Sequence, residues 1–278
     1  MADRPLSLRF VNAHYAPDVA ATGEFLTDLA EGLAGLGHRV HVVTGRLPYG
    51  TAHAALPDEE RRNGVRVTRV RTTHAGRGGT AGRLGDYLTF FLGAAGPALG
   101  GPEPDLTVYL TTPPLVGLLG LAGRRLAGRR YGLWVMDLHP EAEVAHGMLR
   151  EGGRATRLLG RVDRAVFGGS SLTVALGRCM EARIRPKLPP EAPLDVIPLW
   201  RDPDEVKPLE RAENPLTRRW EVGDRFVVMY SGNAGLAHRF AEVRALLRHH
   251  RDDPGILFLF VGGGPRRPEL EAFIRREG

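Results

Sequence analysis

With 278 residues, 42% of them apolar and 25% charged, the chain is long enough for two domains and apolar enough for packed cores, which excludes a disordered polymer. Its 36 Gly and 21 Pro follow no three-residue period, so a collagen-like rod is excluded, and the single cysteine, Cys179, excludes a disulfide framework and a Cys-rich zinc site. The charge balance is +6, and all the basic residues except Lys187 and Lys207 are Arg, a bias read first as gene composition rather than function.

The first residues lack the charged-then-apolar layout of a signal peptide. The longest apolar runs, Leu115–Gly123 and the Pro-interrupted Tyr87–Leu99, are too short to span a bilayer. The expectation is a cytoplasmic protein, with any membrane contact peripheral and on the inner face.

Short β-branched runs alternate with helical stretches. Leu6–Val11 reads as a strand, and Glu24–Leu36 as a helix with Phe25, Leu26, Leu29, Leu33 and Leu36 on one face. Gly37 stops that helix, and Arg39–Thr44 is the next strand, completing a βαβ unit. Further strands are expected at Val65–Arg71, Leu106–Thr111, Tyr131–Met136, Leu172–Ala175 and Leu194–Leu199. Helices fit at Leu84–Leu99, Leu115–Ala127, Arg154–Val166 and Arg178–Arg185. The alternation predicts a doubly wound α/β domain over residues 1–199 with a mostly parallel sheet. Around Trp200–Gly223 the pattern breaks into Pro, Asp, Glu and Arg. A second α/β pattern follows within 200–278: strands Phe226–Ser231 and Ile256–Val261, helices Arg239–His250 and Arg267–Arg276. Two strands do not close a core, so this second domain reads as incomplete.

Ligands of open parallel sheets bind at the carboxyl ends of strands, so the loops there are the places to look. Thr22-Gly23 opens a helix and offers N–H groups to an anion, although any helix start can carry a glycine. Neither G-x-G-x-x-G nor G-x-x-x-x-G-K-[ST] occurs, which disfavours NAD and P-loop chemistry. The loop after Met136 gathers Asp137, His139, Glu141, Glu143 and His146. Asp137 there reads as a base or hydroxyl-orienting carboxylate, or as a helix cap; the whole set reads as a metal site or as a solvated loop. No zinc spacing such as H-E-x-x-H is present. Gly76–Arg83 reads as a mobile surface loop rather than a phosphate loop. Tyr87, Leu88, Phe90, Phe91 and Leu92, with Arg83 nearby, read as core or as a patch for an anionic membrane surface, to which Arg124, Arg125, Arg129 and Arg130 add charge. No basic-aromatic module for nucleic acid is present. In the second domain, Tyr230–Leu236 and Gly262-Gly263-Gly264-Pro265 are Gly-rich turns after consecutive strands, where backbone can approach a diphosphate closely.

The stretches "HYAPDVAATGEFLTDLAEGLAGLGHRVHVVTG", "YLTTPPL", "WVMDLHPE" and "YSGNAGLAHRF…FLFVGGGP" resemble the family 4 glycosyltransferases of GT-B fold, in the subgroup of bacterial capsule, O-antigen and exopolysaccharide assembly. The resemblance implies two Rossmann-like domains and transfer of a sugar from a nucleotide-sugar to a saccharide or lipid-linked acceptor with retention of configuration. It implies no metal or other cofactor and no nucleic-acid partner. It places the acceptor against Tyr15, Pro17, Thr22, Gly23 and Arg46, with His139 and Glu141 on the same side. Asp137 falls at the acceptor side, as hydroxyl contact or base. Gly232, Asn233 and Gly235 match the first donor loop, Gly262, Gly263 and Gly264 the second, and Arg239 is the nearest candidate for the donor-side cation. The family's E-x7-E segment would lie roughly 80–120 residues beyond Val261, so a C-terminally truncated donor domain is expected. The competing readings are a non-catalytic binding module and a nucleotide-sugar epimerase or hydrolase on the same fold.

Overall fold

The computed structural model describes residues 4–277 except 19, 47–55, 74, 76–79, 202, 205 and 236–237, and only the backbone of Thr80, Ala81 and Arg83. The expected loop at Gly76–Arg83 therefore lies largely outside the described residues. The chain divides into two compact units, Met1–Trp200 and Arg201–Gly278.

The first unit is one eight-stranded sheet. Its strands are β1 (Ser7–Val11), β2 (Arg39–Gly45), β3 (Glu59–Arg62), β4 (Val65–Val70), β5 (Leu106–Tyr109), β6 (Tyr131–Trp134), β7 (Leu172–Ala175) and β8 (Leu194–Val196), in the order β3-β4-β2-β1-β5-β6-β7-β8. Every neighbouring pair is parallel except β3 with β4. The chain steps outward from β1 through β2 to β4, then returns to β5 on the other flank of β1. The topological switch point therefore lies between β1 and β5.

The expected strands and long helices are present with ends shifted by a few residues. The hairpin of β3 and β4 is an element the periodicity missed, because Glu59-Glu60-Arg61-Arg62 carries no apolar alternation. Asn63 (φ 44°) and Gly64 (φ 84°) close it as a two-residue turn that requires left-handed backbone at both positions. A charged, antiparallel β3 also closes the sheet edge against further pairing.

Two cores flank the sheet. On one face α1 (Ala21–Gly35) buries Leu26 and Ala30 against Phe10, Val40, Val42, Val65 and Val67. Trp200 covers the same face farther along, stacked on buried Trp134 with ring centroids 5.7 Å apart and planes 6° from parallel. On the other face lie α2 (Thr80–Leu99), α3 (Gly117–Ala127) and α5 (Arg154–Gly169), packed side by side over Val11, Val43, Tyr109, Tyr131 and Leu133. Glycines let α3 sit this close: a Cβ on Gly117 would meet Val166 of α5 at 2.6 Å, and one on Gly120 would meet the Tyr131 ring at 2.6 Å. Arg9, buried on β1, donates to the carbonyls of Ala98 (2.7 Å), Gly100 and Pro102 (3.2 Å each), satisfying acceptors that the end of α2 would otherwise leave open. Short helices α4 (Glu141–Ala145) and α6 (Arg178–Ile184) complete the unit.

The second unit holds α7 (Pro215–Arg219), β9 (Phe226–Ser231), α8 (Ala241–His249), β10 (Ile256–Val261) and α9 (Arg267–Glu277). Both strands fall where the periodicity places them and pair in parallel, Phe226 opposite Ile256 through Ser231 opposite Val261. Ala234, Phe240 and Leu270 form a small core with Tyr230, Val243, Leu247 and Phe260. Across the described residues, no helix is long and apolar enough to cross a membrane.

Candidate functional site

The loops after β1, β5 and β6 lie on one rim of the first sheet with the end of β2, and hydrogen bonds tie them together. Ala13 N donates to Thr112 O (2.9 Å) and Gly45 N to Ala13 O (3.0 Å). The amides of Met136 and Asp137 both donate to Thr111 Oγ1, at 3.0 and 2.9 Å. Thr111 thus fixes the backbone of Asp137 beside the switch point. Nothing in the sequence pattern singled it out beyond its place just after a strand. The peptides Ala16-Pro17, Thr112-Pro113 and His139-Pro140 are cis.

Asp137 is exposed, and among the described residues its carboxylate has no partner. The capping alternative does not hold. The residue preceding α4 is Pro140, and no side chain caps that helix. The metal alternative also fails on arrangement: among the described residues no three His, Cys, Asp or Glu side chains are grouped to hold an ion. Instead, His139 Nδ1 pairs with Glu143 Oε1 at 2.6 Å. Glu141 Oε1 meets Lys187 Nζ at 2.6 Å. Lys187 in turn contacts Asp163 Oδ2 at 2.7 Å and lies 5.3 Å from the Phe167 ring centroid. Asp163 is buried, and that burial raises its carboxyl against the pull of Lys187. Glu141 is therefore spent on anchoring α4, whereas Asp137 remains available.

On the first loop, Pro17 is exposed, Thr22 half-buried, and Gly23 buried where a Cβ would press on His14 at 3.1 Å. Tyr15 corrects the expectation of an acceptor contact. It is 2% exposed in the core beneath the loop, where burial pushes its phenol well above the ordinary range. Beneath the same loop, Arg69 donates to the carbonyl of Ala16 and pairs with Glu60 Oε1 at 2.7 Å. His14 Nδ1 meets Asp18 Oδ2 at 2.6 Å, a pair that sequence reading left within the loop. Arg46 is half-buried and already engaged, its Nε donating to Leu56 O (2.9 Å) and lying 3.2 Å from Asp58.

In the second unit the two Gly-rich turns interlock. Gly232 N donates to Val261 O (2.9 Å), and Ala234 N to Gly263 O (2.7 Å). Gly262 has φ 125°, and a Cβ there would fall 2.1 Å from Gly232 O; one on Gly264 would fall 2.5 Å from Ala234 O. Only glycine fits this crossing. Asn233 is exposed at the tip, and Gly235 N donates to Asn233 O (2.8 Å). A cavity of about 110 Å³ opens here, lined among others by Gly232, Gly262, Gly263, Tyr230 and Arg267. Arg267 Nη1 donates to Gly262 O at 2.9 Å, which holds its guanidinium beside these turns. Arg239 precedes α8 instead of lying on it; its guanidinium is exposed and stands 3.9 Å from Glu242. The signal for Arg267 was its place directly after Gly-Gly-Gly-Pro-Arg.

Residues 21–200 match the family of glycosyl transferase 4-like domains. The chain is similar to WbjE of Pseudomonas aeruginosa, named as a glycosyltransferase, with 27% identity over 160 residues covering 58% of this chain and 40% of that protein. It is also similar to WcaI of Escherichia coli K12, named as a glycosyl transferase of colanic acid biosynthesis, at 22% identity over 95% of this chain and 68% of that one. The chain thus spans less than half of WbjE and about two thirds of WcaI. Among solved structures it resembles sucrose-phosphate synthase from Thermosynechococcus elongatus (TM-score 0.67, 18% identity, 97% of this chain and 67% of that). It also resembles Anabaena HepE in complex with UDP-glucose (0.61, 15%, 98% and 66%) and starch synthase IV of Arabidopsis thaliana bound to ADP and acarbose (0.65, 14%, 98% and 72%). The fold is GT-B-like, with two Rossmann-like units.

Proposed function

The chain belongs to the glycosyl transferase 4-like family, and we propose that it serves transfer of a sugar from a nucleotide-sugar to a saccharide or lipid-linked acceptor, with retention of configuration, in assembly of a cell-surface polysaccharide. One observation carries this reading: the end of β2 and the loops after β1, β5 and β6 are tied together on one rim of the first sheet, presenting an unpartnered Asp137. The names of WbjE and WcaI support the reaction class, and the bound UDP-glucose of HepE supports the donor class.

In this reading the acceptor lies along Pro17, Thr22, Gly23 and Asp137, with Arg46, His139 and Glu141 shaping the loops around it. The donor diphosphate lies against the backbone of Gly232–Gly235 and Gly262–Gly264, with Arg267 beside it. The bond from the anomeric carbon to the diphosphate oxygen breaks as the bond to the acceptor oxygen forms on the same face. Positive charge developing on the sugar is stabilised by the departing diphosphate. Asp137 takes the hydrogen bond of the acceptor hydroxyl, as orienting group or base.

The test is release of nucleoside diphosphate from UDP-, ADP- and GDP-sugars, with and without saccharide and membrane-lipid acceptors, followed by the anomeric configuration of the product. Acceptor-dependent release with retention is expected. Release without any acceptor marks a hydrolase, and interconversion of the donor sugar marks an epimerase; either result contradicts the proposal.

A further inference from the structure

Lys187 is unusual in both identity and placement. The chain's other basic residues are all Arg except Lys207, which is exposed beside Asp204. The side chain of Lys187 is only 11% exposed. It is carried by the turn Arg185–Lys187, set between Ile184 and Leu188, both buried in the core. From there its Nζ meets Asp163 Oδ2 of α5 at 2.7 Å and Glu141 Oε1 of α4 at 2.6 Å, and lies 5.3 Å from the centroid of the Phe167 ring. An ammonium is a compact charge with three donors, suited to two carboxylates and a ring that come from different elements, whereas a guanidinium is a flat fork. Against a composition that favours Arg, lysine is found where that shape matters.

One of the two carboxylates it holds belongs to the first residue of α4, four residues after Asp137. This helix is five residues long, has no side-chain cap and buries none of its residues, so it is too short to hold itself. The segment is pinned at one end where Thr111 Oγ1 accepts the Asp137 amide (2.9 Å), and at the other where Lys187 meets Glu141. Between and beyond these points His139 Nδ1 pairs with Glu143 Oε1, which staples the loop to the helix. We propose that Lys187 is a positioning residue, tying α4 to α5 and thereby setting where the Asp137 loop stands. It touches no substrate and acts through Glu141. The catalytic consequence rests on the transfer reading: Asp137 is held in place for the acceptor hydroxyl, and such placement governs rate rather than donor affinity. The tie itself is measured with neither donor nor acceptor, so its failure is distinguishable from failure of that reading.

The experiment is amide hydrogen exchange, followed by mass spectrometry, on the whole chain and on Lys187→Met and Lys187→Met/Asp163→Asn. The single variant leaves Asp163 buried without its cation. The double variant removes both charges and so separates the lost tie to Glu141 from that penalty. The amides of Ala142, Val144 and His146 donate to Leu138, Pro140 and Ala142 in the parent. In both variants residues 137–146 should exchange roughly ten-fold faster, with β1 and β2 unchanged. With a donor and acceptor that sustain transfer, kcat should fall roughly ten-fold or more in both while the Kd for UDP-glucose stays that of the parent. Parent-like exchange over residues 137–146 in the double variant would overturn the proposal, as would faster exchange there with kcat unchanged. So would an equal rise in β1 and β2, which would mark Lys187 as holding the fold rather than the loop.

Discussion

Asp137, in the loop after β6, and Glu141, at the start of α4, lie four residues apart, yet their surroundings give them different tasks. Glu141 is held by Lys187, which also pairs with the buried Asp163. Asp137 has only its backbone fixed, by Thr111. Asp137→Asn is expected to lower the transfer rate by about 100-fold with donor affinity unchanged, measured as kcat against a directly titrated Kd. Thr111→Val leaves the Met136 and Asp137 amides without their acceptor and should cost about 1–3 kcal/mol in a urea titration, with a matching fall in kcat. At this scale the sequence was partly legible. Residue type and position after a strand pointed to Asp137. They did not reveal that Tyr15 turns into the core or that Arg46 is occupied by Leu56 and Asp58, because partners distant in sequence decide both.

At the scale of elements, periodicity located β9 and β10 to the residue because each is a continuous apolar run bounded by polar turns. It overlooked β3, whose four charged residues carry no apolar alternation, although Asn63-Gly64 marked the turn. It also overlooked the capping of α2 by Arg9, a contact across 89 residues. The interlocked turns after β9 and β10 give the sharpest prediction here. Gly262→Ala would set a Cβ 2.1 Å from Gly232 O, so the turns must separate. The variant should lose nucleotide-sugar binding while the first unit keeps its unfolding transition, followed by calorimetry. Gly263→Ala has no atom within 4 Å of the added Cβ and should bind as the parent does.

Across the whole molecule, stability should fall in acid for an identifiable reason. His41 lies on β2 with Nε2 2.8 Å from Thr68 Oγ1. Burial, reinforced by Arg9 and Arg66, pushes its imidazole down to about 4. In the unfolded chain the group takes up its proton near 6.5. Between those values the unfolded state binds more protons, so the stability present above pH 6.5 is lost as pH falls toward 4, by at most about 3 kcal/mol. His41→Gln should flatten the pH dependence of the urea midpoint across that window; an unchanged slope would show that another group governs it.

Fold class, the mostly parallel character of the first sheet and the Gly-rich turns were all readable from alternation and spacing. Where the nucleotide-sugar binds is tested most directly by calorimetric titration of UDP-glucose into the parent chain, Gly262→Ala and Asp137→Asn. Binding by the parent and Asp137→Asn, lost in Gly262→Ala, is the predicted result. Equal binding by all three, or loss in Asp137→Asn alone, would contradict the assignment of the donor to the second unit and the acceptor to the first.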